Sequence, residues 1–209
     1  MRALLVLGGD LPTEDLLKEN AGHSDLVIAA DRGMEAFLGV GITPDIWVGD
    51  MDSVNPAVLA MVEDKLNVLR LPCRKDDTDG EIAVKTAIER GCDDICILGA
   101  CGGRLDHALG NLALLRYAQL HGAHAEILDE RVRIEAVQEE LTICGESGDT
   151  VSLIPMSTAE GVTLTGFSYP LCDETLYPFE TRGISNVLIS DTATVQVRQG
   201  VVFAFHYYA

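Results

Sequence analysis

The chain opens Met1-Arg2-Ala3-Leu4-Leu5-Val6-Leu7-Gly8-Gly9-Asp10, and the reading of this stretch decides the fold. A short apolar run behind one basic residue has the outline of a secretory leader. The run is brief, however, and ends in a Gly-Gly-Asp turn instead of a small-residue cleavage site. An unbroken apolar run stopped by a turn is what a strand buried on both faces needs. The same pattern recurs at Leu26–Ala30, Ile46–Val48, Val68–Leu71, Ile95–Leu98 and Glu126–Leu128. Helical segments lie between these runs. Asn55-Pro56 reads as an N-cap with proline at the first helical position. Thr78-Asp79-Gly80-Glu81 reads as a capping box that opens a helix to Arg90, stopped by Gly91. A further helix runs from about Leu105 to His121 and stops at Gly122. Alternating strands and helices imply a parallel sheet with helices on both faces.

After about residue 129 the pattern changes. Arg131–Val137, Leu141–Cys144, Thr150–Ile154, Val162–Leu164, Val187–Ile189, Thr194–Val197 and Val201–His206 are strand-like, with turns such as Glu146-Ser147-Gly148-Asp149 between them. The expected fold class is therefore α/β plus all-β. Residues 1–129 form a parallel-sheet domain, and residues 130–209 form a β-sandwich. So small a second domain buries little surface alone, so it is expected to pack on the first domain or on a second copy. No internal repeat or low-complexity segment is visible.

Composition narrows the function classes. With 209 residues, 47% of them hydrophobic, the chain can fill real cores. No run approaches the roughly 18 apolar residues of a membrane span, and a cytoplasmic location is expected. A formal net charge of -18 argues against nucleic acid, which demands a basic footprint. It is compatible with a nucleotide whose polyphosphate is reconciled with carboxylates by Mg²⁺, and it favours a cationic substrate. The six cysteines include no CxxC pair and read as reduced packing residues.

In open α/β sheets, ligands bind outside the carboxyl ends of the strands. Acidic residues follow nearly every expected strand: Asp10, Asp31, Asp50 with Asp52, then Asp76, Asp77 and Asp79, and Asp106. The plainer account of any one of them is a helix cap or dipole partner, and Thr78 and Glu81 are caps on either account. Asp50-Met51-Asp52-Ser53 fits that account poorly. Two carboxylates at i and i+2 of an extended segment point the same way, which makes half a Mg²⁺ site, with Asp79 as third ligand. The segment Gly99-Ala100-Cys101-Gly102-Gly103-Arg104-Leu105-Asp106-His107 is the second constellation. Bare glycines at a strand-to-helix turn let backbone N–H groups approach phosphate, and Arg104 adds a forked donor. A tight turn alone would also use Gly102 and Gly103. The segment is neither a Walker A loop nor a GxGxxG. Arg32 and Lys75 are the other cations beside the acidic turns, with surface solvation as their plainer role. His107 reads as a packing residue and Cys101 as a small turn residue. The residues alone lead to an enzyme of Mg²⁺ and polyphosphate.

At these positions the chain resembles the thiamine pyrophosphokinase family, especially its bacterial branch. The resemblance rests on Pro44-Asp45-Ile46-Trp47-Val48-Gly49-Asp50-Met51-Asp52-Ser53, Lys75-Asp76-Asp77-Thr78-Asp79-Gly80-Glu81, and Gly102-Gly103-Arg104-Leu105-Asp106-His107 with Asn111. In the β-rich part it rests on Gly166, Tyr169-Pro170-Leu171 and Gly183-Ile184-Ser185-Asn186. The resemblance implies transfer of the pyrophosphoryl group of Mg-ATP to the hydroxyl of thiamine, with AMP released, by a homodimer whose active sites lie between subunits. It implies that Asp50, Asp52 and Asp79 hold Mg²⁺ and the phosphates. It implies nucleotide or substrate roles for Asp31, Lys75, Thr78, Arg104 and Asp106, with Asp79 or Asp106 considered for the alcohol's proton; Arg32, Asp76, Gly102 and Gly103 join them as nucleotide-binding candidates. Ser185 and Asn186 match the segment that meets thiamine. Asp31-Arg32-Gly33 departs from an Asp-Gly-Gly found in part of the family. Some members stack a C-terminal Trp on thiamine, whereas the only Trp here is Trp47, leaving Tyr169, Tyr177 or Phe179 as substitutes. The rival readings are a pyrophosphokinase for a pterin alcohol, a non-catalytic nucleotide sensor and a two-metal phosphohydrolase.

Overall fold

A computed structural model describes residues 1–49 and 77–208, together with the backbone of 67–70. The helix start expected at Asn55-Pro56 lies outside the described residues. The chain divides into two compact units, Met1–Glu130 and Arg131–Ala209.

The first unit is built on a parallel sheet. Its strands are β1 (Arg2–Val6), β2 (Leu26–Ala30), β3 (Ile46–Gly49), β4 (Asn67–Arg70), β5 (Asp94–Leu98) and β6 (His124–Leu128). They lie in the order β6-β5-β1-β2-β3-β4 with every adjacent pair parallel. The chain steps outward from β1 to β4, then returns to the other side of β1 for β5 and β6. The order therefore reverses between β1 and β5, and in open α/β sheets a ligand crevice opens outside the carboxyl ends at such a point.

The continuous apolar runs are explained by cover on both faces. Leu4, Val6, Val27, Ala29 and Trp47 form one face, packed with Leu17 of α1 (Glu14–Gly22) and with Met34 and Phe37 of a 3₁₀ helix (Asp31–Phe37). Successive strand residues point to opposite faces, so Ala3, Leu5 and Leu7 face the other way. There α2 (Asp79–Glu89) crosses β1, β2 and β3 and packs against α3 (Leu105–Leu120). Each fully buried Leu or Val contributes roughly 1.5–3 kcal/mol of transfer free energy.

The helix ends follow the residues that cap them. Thr13 and Thr78 cap α1 and α2, their hydroxyls accepting from the Leu16 and Glu81 amides at 3.4 and 3.2 Å. Only the threonine half of the expected capping box is formed as written, because the Glu81 carboxylate meets Lys85 at 2.9 Å. Both α2 and α3 end in Schellman motifs. Gly91 and Gly122 take φ 84° and 79°, which glycine adopts without a Cβ penalty. Their amides and those of Cys92 and Ala123 then satisfy the last helical carbonyls.

The second unit contains β7 (Val132–Val137), β8 (Glu140–Cys144), β9 (Thr150–Pro155), β10 (Ala159–Thr165), β11 (Leu171–Leu176), β12 (Asn186–Val187), β13 (Thr192–Gln196) and β14 (Val202–Tyr207). They form two antiparallel layers, β12-β9-β14-β7 and β11-β10-β13-β8. Alternate residues of both layers meet in one core, with Val151, Leu153, Val202 and Ala204 from one and Ile143, Val162, Leu164 and Val195 from the other. This is the expected sandwich, with one strand, β11, that the sequence pattern did not reveal.

Candidate active site

The carboxyl ends of β1 and β5 are sewn together beyond the strands themselves. Leu7 donates to the Leu98 carbonyl at 2.9 Å, Gly9 to that of Gly99 at 2.9 Å and Asp10 to that of Cys101 at 2.8 Å. Glycine is required for this approach at Gly9, where a Cβ would lie 2.2 Å from the Cys101 carbonyl oxygen, and a Cβ on Gly102 would crowd the Asp10 carboxyl at about 2.1 Å. The seam floors a cavity of about 660 Å³ at the point where strand order reverses. Its walls are residues 7–9 after β1, Ala30 at the end of β2 with Asp31 and Arg32, 78–80 at the start of α2, Ala100 and Gly102 to Arg104 of the turn after β5, and His107 and Asn111 of α3. A space of this size suits a cofactor or nucleotide.

Of the residues read from the sequence, Asp31, Arg32, Thr78, Asp79, Gly102, Gly103 and Arg104 all line this cavity. Asp31 takes the left-handed φ of 45°, rare for a residue with a side chain. Its carbonyl accepts from the Trp47 indole at 3.0 Å, and its carboxyl packs on Gly49, where a Cβ would lie 2.0 Å from Oδ1. Strand β3 can therefore close on β2 only through glycine, immediately before Asp50. The Arg32 guanidinium donates to the Gly9 carbonyl at 2.7 Å, which folds it across the β1 turn. Gly33, next in the 3₁₀ helix, sits directly on β1, where a Cβ would meet the Val6 carbonyl at 2.0 Å.

Thr78, Asp79 and Gly80 bring the positive end of α2 to the cavity wall, a placement that favours anions. Gly80 permits the approach, being 3.2–3.3 Å from Leu7, Asn111 and Leu114 at its missing Cβ. Beside it Lys85 bonds Asp77 at 2.6 Å and Glu81 at 2.9 Å, and these bonds, Asp77's first, raise its pKa. Gly102 and Gly103 both adopt positive φ, 81° and 62°. Arg104 forks onto Asp106 through Nε and Nη2 at 3.1 and 2.5 Å. That bond holds the Asp106 carboxyl at about 2, below the usual carboxylate range. The Arg104–Asp106 pair is exposed at 72% and 64%, so it exchanges readily with solvent or another anion. Burial pushes the Cys101 thiol up, away from nucleophilic reactivity.

Asp50, Asp52, Lys75 and Asp76 lie outside the described residues. Of the carboxylates assigned to Mg²⁺, only Asp79 is described. Among the described residues no group of three or more His, Cys, Asp or Glu stands ready for a metal. The donor chemistry of the cavity edge, hard carboxylate oxygen beside an anion-favouring helix end, fits Mg²⁺ and a polyphosphate.

Ser185 and Asn186 belong to the second unit. Ser185 is exposed, takes φ 58°, and donates its amide to the Ser152 hydroxyl at 3.0 Å. The Asn186 side chain is buried and bonded to the backbone of Tyr169. Tyr177 and Phe179 stack on each other with centroids 5.4 Å apart. Sequence reasoning missed the glycines of the β1 turn, although Gly8-Gly9 directly after a strand carries the same signal as Gly102-Gly103. It also missed Lys85, whose spacing from Glu81 is the i, i+4 pattern of a helical ion pair.

Comparison with known proteins agrees with this geometry. Residues 17–127 match the family described as thiamin pyrophosphokinase, catalytic domain, and residues 132–202 match thiamin pyrophosphokinase, vitamin B1 binding domain. A protein named thiamine pyrophosphokinase from Bacillus subtilis (strain 168) is 32% identical over 205 residues, covering 95% of this chain and 94% of that protein. The crystal structure of thiamine pyrophosphokinase from Bacillus subtilis superposes with a TM-score of 0.86 at 30% identity, covering 100% of each chain. That of thiamin pyrophosphokinase from Geobacillus thermodenitrificans gives 0.82 at 31% identity, with 100% of this chain and 98% of that one covered. The structure from Candida albicans, at 16% identity and a TM-score of 0.86 over 100% and 89% of the two chains, shares the fold. A cavity at the strand-order reversal, lined by Asp31, Asp79 and glycine turns, thus occurs in a chain matched by both the catalytic and the vitamin B1 binding models, and this chain belongs to the thiamin pyrophosphokinase family.

Proposed function

We propose that the chain is an ATP-dependent thiamine diphosphokinase that transfers the pyrophosphoryl group of Mg-ATP to the hydroxyl of thiamine. The observation that carries this reading is the cavity between β1 and β5, in a chain whose two units match the catalytic and vitamin-binding models of the family. The triphosphate of ATP lies over the Gly102-Gly103 turn and the first turn of α2. Arg32 and Arg104 supply guanidinium donors at its edge. Asp79, with Asp50 and Asp52, would hold Mg²⁺, which would offset phosphate charge. The thiamine hydroxyl oxygen attacks the β-phosphorus and its proton is lost to solvent, the bond to the bridging oxygen of the α-phosphate breaks, and AMP leaves.

Phosphoryl-type transfer through a loose transition state depends mainly on position and charge. Asp106, held low by Arg104, is a weak base. It serves instead to hold the Arg104 fork at the cavity mouth. Lys75 and Asp76 complete the nucleotide edge. The acceptor is recognised by the second unit in the region of the Ser185-Asn186 segment, supplied by the partner of a homodimer, and an acidic surface attracts the thiazolium cation. No described helix is long and apolar enough to cross a membrane. The described cysteines are free.

Incubation with Mg-ATP and a panel of vitamin alcohols, including thiamine and a hydroxymethyl pterin, tests the reading, with products identified by mass. Thiamine diphosphate and AMP are expected. A diphosphorylated pterin in its place, or nucleotide hydrolysis with no acceptor product, would replace this function with another.

A further inference from the structure

Asn186 occupies an unusual place in the second unit. The segment 183–189 runs between the edges of the two layers and is bonded to both. Toward β9, Leu153 donates to the Gly183 carbonyl at 2.8 Å, Asn186 and Val187 pair with Val151 and Thr150, and Leu188 donates to the Asp149 carbonyl at 2.9 Å. Toward the end of β10, Ile189 donates to Gly166 at 3.0 Å and Ser168 to Val187 at 2.9 Å. The next rung on that side is made by a side chain. Asn186 Oδ1 accepts the Tyr169 amide at 3.0 Å, and its Nδ2 donates to the Tyr169 carbonyl at 2.8 Å. Oδ1 also accepts the Val187 amide at 2.9 Å.

The Asn186 residue is 4% exposed. Both ends of its amide are committed to backbone partners, and a buried amide gives up such bonds at considerable cost. The residue it grips is the opposite: Tyr169 is 69% exposed although its backbone is held at both polar groups. Ser185, the residue before Asn186, is also exposed and is held at φ 58°, with its amide on Ser152. Fixing the backbone of an exposed aromatic ring lowers the entropy cost of using that ring for binding. By contrast, Tyr177 and Phe179 already cover each other.

We infer that Asn186 is a positioning residue that holds Tyr169 as the aromatic contact for the acceptor ring, and that it does not touch the acceptor itself. This rests on the proposal that the second unit binds the acceptor. The aromatic ring of a cationic heterocycle gains both stacking and cation–π attraction from such a face.

The test is a double-mutant cycle on the full-length protein with thiamine and Mg-ATP, using Asn186→Ala, Tyr169→Ala and the pair. The expected result is a roughly tenfold or greater rise in KM for thiamine in each single variant, with KM for ATP little changed. The pair should be no worse than the worse single variant, because both act through one ring. Hydrogen exchange at the Tyr169 amide should speed up in Asn186→Ala. Multiplying effects in the double variant would overturn the inference, since Asn186 would then contribute independently of the ring. If Asn186→Ala fails to fold, Tyr169→Ala decides alone: this exposed ring can be removed without opening a core, and an unchanged KM for thiamine would overturn the inference. A wild-type protein that makes no thiamine diphosphate would instead overturn the proposed function.

Discussion

Replacing Gly102 and Gly103 separately by alanine separates backbone strain from crowding at the cavity turn. Both residues have positive φ, 81° and 62°, so each substitution costs roughly 1–2 kcal/mol for placing a Cβ in the left-handed region. Their surroundings differ. A Cβ at Gly103 meets nothing within 4 Å, whereas one at Gly102 falls 2.1–2.3 Å from the carboxyl atoms of Asp10. Asp10 is exposed, so its side chain can swing aside, but the turn must then give up the packing that aligns it with β1. Gly103→Ala should therefore lose only the strain energy, and Gly102→Ala should lose about 1 kcal/mol more. For a chain of this size each kcal/mol lowers Tm by about 2–4 °C. Thermal unfolding measures the difference, and both variants should remain folded at 25 °C. In steady-state kinetics Gly102→Ala should raise KM for ATP by about tenfold, the loss of roughly one charge-assisted phosphate bond. Equal Tm values for the two variants would refute the crowding argument. Unchanged KM for ATP in both would refute the phosphate role of the turn.

The other predictions concern single pairs and the assembly. Carbon-13 NMR titration should find the Asp106 carboxyl at about 2, rising to near the ordinary value of about 3.9 in Arg104→Ala. The pair stabilises the fold above the ordinary value and loses that contribution as pH falls through about 2, by a small amount because both side chains are exposed. The buried bond between His206 Nε2 and Asp149 Oδ2, 2.8 Å long, also engages the Glu146 amide at 3.0 Å. Asp149→Ala should cost about 2–4 kcal/mol in urea unfolding, and a cost below about 0.5 kcal/mol would show that the pair is not stabilising. Asp50→Asn and Asp52→Asn should each lower turnover at least about a hundredfold with an unchanged circular dichroism spectrum. Near-normal activity in both at limiting Mg²⁺ would make them caps. An Asp50→Asn chain co-refolded with a chain altered at Ser185 and Asn186 should regain part of the activity, because a mixed dimer keeps one whole site. A fully active monomer in sedimentation would exclude that arrangement.

The layered core was readable because its signals are local. Leu26–Ala30 and Ile95–Leu98 are apolar on both faces, and Thr78 and Gly91 mark the ends of α2 by their own backbone chemistry. β11 was hidden because Leu-Cys-Asp-Glu-Thr-Leu is an edge strand of mostly half-buried or exposed residues with no alternation, only Leu176 being fully buried. Val187–Ile189 promised a longer strand than the Asn186–Val187 pair that forms, and Leu188 instead makes an isolated bridge to Phe167. The acidic turns were visible one by one, and the parallel order explains why Asp31 and Asp79 reach one cavity. The pairings inside the site were not visible. Arg104 with Asp106, Arg32 with Gly9, and Asn186 with Tyr169 depend on side-chain directions that no periodicity encodes.

The most direct test of the central claim follows the β-phosphorus of ATP. With Mg-ATP labelled at that atom and thiamine as acceptor, the account predicts label in thiamine diphosphate, one AMP for each product formed, and no thiamine monophosphate intermediate. Stoichiometric ADP that keeps the β-label would contradict it, because attack would then fall on the γ-phosphorus.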